Sequence, residues 1–108
     1  MGLAYQRLGD LDRAEQLTRR ALAIHRAAGH DSGVATWLRN LGDLAMARAD
    51  GIGGAGAAAY VRAAIDHYQA SLDLRRAHND PNAGESAAAL AAAQARLAES
   101  EPSAPDHA

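Results

Sequence analysis

The sequence predicts an all-α protein built from antiparallel helix-turn-helix repeats, stacked as a short right-handed α-solenoid of about five helices. Three observations lead there. A stretch near the N-terminus, Gly9 to Ile24, returns in degraded form fifty residues later, so that Ala14, Thr18, Ala21, Leu22 and Ile24 reappear as Ala64, Tyr68, Ser71, Leu72 and Leu74 with every internal spacing kept. Such self-similarity signals one supersecondary unit stacked on itself. A second register, offset by forty, pairs Gly2 with Gly42, Gly9 with Ala49 and Asp10 with Asp50. Finally, 29 of the 108 residues are Ala and none is Phe, so the interior must come from helices approaching closely over small residues, with Leu in the seams.

The elements follow in order. Met1 to Leu8 reads as the last two turns of a helix, broken by Gly9-Asp10, with Asp10 placed to cap the next helix. That helix, about Leu11 to Ala28, puts Leu11, Ala14, Leu17, Ala21, Leu22, His25 and Ala28 on one face. Gly29 stops it by taking the left-handed conformation without a Cβ clash. A third helix, capped by Asp31 or Ser32 and running to about Ala49, buries Val34, Trp37, Leu38, Leu41, Leu44 and Ala45 and turns Thr36, Arg39, Asn40, Asp43 and Ala47 outward.

The change of offset from forty to fifty marks ten inserted residues, 51–60, which read as a lengthened Gly-rich turn. The second copy of the organising helix then spans Val61 to about His78, with Val61, Ala64, Ile65, Tyr68, Ser71 and Leu72 inward. Asn79-Asp80-Pro81 ends it, and Asp80 with Pro81, or Asn82 with Glu85, opens the last helix, about Ala83 to Glu99. There Leu90-Ala91 stands where Leu41-Gly42 stood. Residues 1–99 thus form one repeat domain, and 100–108, polar with two prolines, are expected to be disordered.

Small residues in the first helix of each unit (Gly2, Gly42), Ala at the crossing (Ala14, Ala64) and Ala/Ser-Leu late in the second helix (Ala21-Leu22, Ser71-Leu72) resemble the tetratricopeptide repeat. Arg39-Asn40 before Leu41-Gly42 and a period near forty are similar to the kinesin-light-chain-type variant found in bacterial regulatory proteins, here about two and a half repeats. The resemblance implies a non-catalytic protein- or peptide-binding module of a larger signalling or regulatory protein, with the ligand on the concave surface. Carried over residue by residue, that surface holds Leu3, Gln6 and Arg7, then Thr36, Arg39, Asn40, Asp43 and Met46, then Glu85, Ala88, Ala89 and Arg96. Asn40 is the most pointed of these, since an amide can donate to a carbonyl and accept from an N–H of an extended peptide at once. Arg39 adds a partner for a carboxylate. Self-association through the open repeat ends is the alternative.

Other chemistry finds little support. Net charge near −2, with eleven Arg and no Lys, gives no general pull toward nucleic acid. No Cys is present, which fits a reducing, cytoplasmic setting, and no stretch approaches the roughly 20 apolar residues of a membrane span. Gly51-Ile52-Gly53-Gly54-Ala55-Gly56 satisfies GxGxxG, but it follows a helix where a nucleotide site needs a strand, so nucleotide binding is the minor reading. No two His residues stand three or four apart, as adjacent-turn metal ligands would. No cofactor and no catalytic constellation is expected.

Overall fold

A computed structural model describes the backbone of residues 2–100 and the side chains of 9–53 and 56–99. Among the described residues there are four helices and no strand: α1 Gly2–Ala28, α2 Asp31–Ile52, α3 Gly54–Ala77 and α4 Ala83–Ser100. Successive helices pack on one another, α1 on α2, α2 on α3 and α3 on α4. Ion pairs from Arg39 to Glu85 and from Arg96 to Asp50 link α2 to α4 directly, while Glu15 and Arg19 of α1 share a small cleft with Tyr60 and His67 of α3. The helices therefore alternate between two layers, α1 and α3 in one, α2 and α4 in the other. None of them is long and apolar enough to cross a membrane.

Two expected irregular stretches are largely helical, and the loss of the break at Gly9-Asp10 is why four helices stand where five were expected. Gly9 and Asp10 lie inside α1, both exposed, and Asp10 caps nothing. A Gly within a helix costs only about 1 kcal/mol, so Gly-Asp ends one only when the residues beyond it gain packing by folding back. The ten-residue insertion is likewise helical, except for Gly53 at φ 66°. Its alanines favour helix, and Ala57 and Val61 are buried in one cluster with Ala45 and Ala49. The insertion lengthens both arms of the α2–α3 hairpin and leaves its bend to one residue.

The two predicted helix stops are present, and they are copies of each other. At the end of α1, the His30 N–H donates to the His25 carbonyl at 2.9 Å and the Gly29 N–H to Arg26 at 3.1 Å, with Gly29 at φ 73°. Fifty residues on, Asp80 N–H donates to Arg75 at 2.8 Å and Asn79 N–H to Arg76 at 3.1 Å, with Asn79 at φ 53°. This is the Schellman arrangement, which satisfies the last free carbonyls of a helix. The side-chain contact that usually accompanies it is polar here: the His25 and His30 rings lie 5.7 Å apart, and Arg75 faces Asp80 at 3.9 Å. Neither Asp31 nor Ser32 caps α2, because the position before it is His30 and no side chain bonds there. The Asp80 carboxylate does take up a free amide near the start of α4, accepting from the Asn82 N–H at 2.8 Å.

The core has two parts. Leu22, Val34, Leu38 and Leu41 join α1 to α2, with Trp37, Leu44 and Leu74 against them. The larger part, with Val61, Ala64, Tyr68, Leu72, Leu90 and Ala93 at its centre, joins α2, α3 and α4. Gly42 is where α2 and α3 come closest: a Cβ there would sit 2.5 Å from the Tyr68 ring. Leu17, expected inward, is 58 % exposed, as is Ile24 at 68 %. Their counterparts His67 and Leu74 face the preceding part of the stack, and α1 has no earlier helix to receive them among the described residues.

Arg75, only 5 % exposed, locks three helices together. Its Nη1 donates to the Asn82 carbonyl at 3.2 Å and the Ser86 hydroxyl at 3.0 Å, and its Nη2 to Thr36 Oγ1 at 3.2 Å. Beside it Ser71 donates to the Ala35 carbonyl at 2.8 Å and lies 3.0 Å from Ser86 Oγ. Two outcomes are expected in urea unfolding. Gly42→Val should lose about 1–3 kcal/mol, since a Cβ drives into a ring backed by core. Arg75→Met should lose roughly 2–3 kcal/mol, as expected for bonds from a buried charged donor, with α4 the first element to lose hydrogen-exchange protection.

Candidate binding groove

The residues predicted to meet a ligand lie on the outward face of α2, and the structure sorts them into two sets. Asn40 and Asp43 border α1, and Asp43 also reaches α3. With Leu44, Ala14 and Thr18 they line an open depression of about 250 Å³. The spacing of Asn40, Asp43 and Leu44 follows the helical period, and Ala14 and Thr18 are one turn apart on α1, so two short side chains leave the floor low. Asn40 is half-buried, and its amide has no hydrogen-bonding partner among the described residues.

Thr36, Arg39 and Met46 face the other way, toward α3 and α4. Thr36 donates to the Ser32 carbonyl at 3.1 Å and accepts from Arg75. Arg39 reaches Glu85 of α4 at 2.8 Å, while its buried Nε has no acceptor. Met46 packs against the larger core cluster, half-buried. Arg96, carried to the same surface, is paired with Asp50. The side chains of Leu3, Gln6 and Arg7 lie outside the described residues, as does 101–108, the bulk of the tail. The predicted surface is thus divided by intramolecular ion pairs, and its open part is the side against α1.

Asp43 is tied to the core. Its Oδ1 accepts from the Tyr68 hydroxyl at 2.5 Å, and Tyr68 is the residue whose ring covers Gly42. Burial, and after it the bond to Asp43, pushes the Tyr68 phenol far above its ordinary value near 10. Sequence reasoning had no signal for this pair, because it joins mid-helix positions of α2 and α3 twenty-five residues apart.

On the α1–α3 side, Arg48 is nearly enclosed and donates to Asp12 at 2.6 Å and Glu15 at 3.1 Å. The hydrogen bond from Arg19 holds the Glu15 carboxyl below its usual range against the opposing effect of burial. Burial, then the Arg19 charge, lowers His67. The cleft there, about 120 Å³, has its charges satisfied within the protein. Among the described residues no three His, Cys, Asp or Glu side chains are grouped so as to hold a metal. The Gly-rich segment is not a loop, since Gly53 alone stands between α2 and α3.

Residues 1–50, which make up α1 and most of α2, match the family model of the tetratricopeptide repeat. The match is a likeness to that family over these residues, and the helical, strand-free architecture of the described residues agrees with it. Repeats of this family generally mediate protein–protein interaction. No curated protein and no solved structure matches the chain.

The Tyr68–Asp43 bond makes a pH prediction. A phenol whose pKa is raised on folding stabilises the fold fully below its unfolded value near 10, and that contribution is lost as pH rises through and beyond it. Thermal melts should therefore fall steeply above about pH 10. In Tyr68→Phe the fall should be shallower, with a melt at pH 8 lowered only slightly because Asp43 is exposed.

Proposed function

We propose that the chain is a non-catalytic protein- or peptide-binding module of the tetratricopeptide type. It works as part of a larger, cytoplasmic regulatory protein of the kinesin-light-chain-like bacterial kind, its repeats stacked as an α-solenoid. The observation that carries this reading is the open groove between α1 and α2, with a half-buried Asn40 amide at its edge and apolar Ala14 and Leu44 on its walls. A site of that make-up takes an extended main chain: the amide pairs with a peptide group, and short apolar side chains fill the floor. Arg39 stands one residue away on α2, and its exchange of Glu85 for a ligand carboxylate would add charge recognition.

Peptide display on the immobilised chain tests the proposal, with affinities of selected peptides measured by calorimetry. Asn40→Ala should weaken unrelated selected peptides alike, by about tenfold, as loss of one or two hydrogen bonds implies. Arg39→Ala should weaken only those bearing a carboxylate. Equal affinities for Asn40→Ala and the native chain, in proteins of equal helicity, would sink the reading.

A further inference from the structure

The joint between α2 and α3 differs from the other two joints of the chain. Gly29 and His30 separate α1 from α2, residues 78–82 separate α3 from α4, and a Schellman pair of hydrogen bonds holds each of those turns. Between α2 and α3 stands Gly53 alone. Its N–H donates to the Ala49 carbonyl at 3.1 Å, which is the bond a continuing α-helix makes. Only after it does the chain turn away, at φ 66° and ψ 177°, a conformation that belongs almost exclusively to glycine. No side-chain hydrogen bond caps the start of α3. A break in a helix leaves the last carbonyls before it and the first amides after it without intrahelical partners. Here those two sets would satisfy each other if one residue took helical angles, since 51, 52 and 54–57 are helical already.

The inward faces of α2 and α3 run on through this joint. From Ala45 through Ala49, Gly53, Ala57 and Val61 to Ala64 each step is three or four residues, so on a single helix all six would occupy one broad face. All but Gly53 are buried in one cluster. The joint also divides the chain into two hairpins, with α1 packed on α2 and α3 packed on α4. What crosses from one hairpin to the other includes the α2–α3 interface and the ion pairs from Arg39 to Glu85 and from Arg96 to Asp50. A second copy presents the same surfaces, so these contacts can be remade between chains with no new interface.

We propose that Gly53 is an exchange hinge. At it α2 and α3 straighten into one helix over Asp31–Ala77, about 70 Å long, and two copies trade their α3–α4 hairpins to form a closed dimer. The surfaces that meet are those of the single chain, with Tyr68 of one copy lying over Gly42 of the other. Proximity favours the single chain, whose α3 is tethered to its own α2 by one residue. Concentration favours the dimer. Glycine at 53 sets the balance, being at ease in the bend and the poorest helix former apart from proline. The α1–α2 depression lies wholly within one hairpin, so the exchanged dimer carries two of them, whatever they bind.

Gel filtration of the native chain concentrated to the millimolar range should yield a monomer and a dimer and nothing larger, because exchange between two copies leaves no hairpin unpaired. In sedimentation, Gly53→Ala should raise the dimerisation constant by roughly a hundredfold, since alanine is excluded from the bend and favoured in the helix at both hinges. A flexible Gly/Ser linker inserted after Gly53 relieves the bend and should leave only monomer. In the isolated native dimer the amides of residues 54–57 should exchange with solvent more slowly than in the monomer, because there they lie inside a helix. Gly53→Gln serves as the second substitution if circular dichroism shows that Gly53→Ala is less helical, and the same rise is expected of it. A native chain that forms no dimer overturns the proposal, as does a substitution that leaves the constant unchanged. So does a dimer that survives the linker undiminished, or one in which 54–57 exchange as fast as in the monomer. None of these outcomes bears on the peptide measurement with Asn40→Ala.

Discussion

Everything in this structure depends on how closely α2 and α3 approach. Ala35, Gly42, Ala45 and Ala49 on one helix meet Ala57, Val61, Ala64, Tyr68 and Ser71 on the other, and all nine are buried. Dispersion falls off steeply with a fraction of an ångström, so helices with few large side chains gain packing only by bringing their backbones near. The chain has few large apolar residues to spend elsewhere. The close approach fixes Tyr68 over Gly42, places its hydroxyl on Asp43, and lets Ser71 reach a main-chain carbonyl of α2. From that hairpin both neighbours are positioned, α1 through Leu22 and α4 through Leu90.

Polar groups then select the angle at which the outer helices join. Arg75 would be a liability if it were buried alone, because an unpaired charge away from water is expensive. It holds bonds to α2 and α4 and lies near Asp80 in the turn, so its burial is compensated only in one arrangement of three helices. In the earlier copy the same place is filled by His25, packed close over Gly33 and tilted against Trp37. One position in the repeat thus serves first as an aromatic contact and later as a hydrogen-bonding hub.

The groove is a consequence of the same repeat. Tyr68 is buried in the cluster that holds Leu90 and Ala93 of α4, whereas Ala14 and the buried Thr18 border an open depression. The charged residues of α2 that point to α4 are paired within the protein, and the depression beside Asn40 is the open part of that surface.

The sequence by itself determined the helical class, the inward faces of α2 and α3, the left-handed stop at Gly29 and the place of the stop at Asn79, because these follow from local period and backbone freedom. It also singled out Gly42 and Ala64 as small for a reason of packing. It did not determine whether Gly9-Asp10 and residues 51–60 bend, since a helix ends only where the chain beyond gains by turning, and that gain is tertiary. For the same reason Leu17 carries the period of a buried face yet lies exposed. Which of Thr36, Arg39, Asn40, Asp43 and Met46 remain open was decided by the placement of α4 and α1 on either side of α2, for a side chain on a helix is free or paired according to what stands across from it.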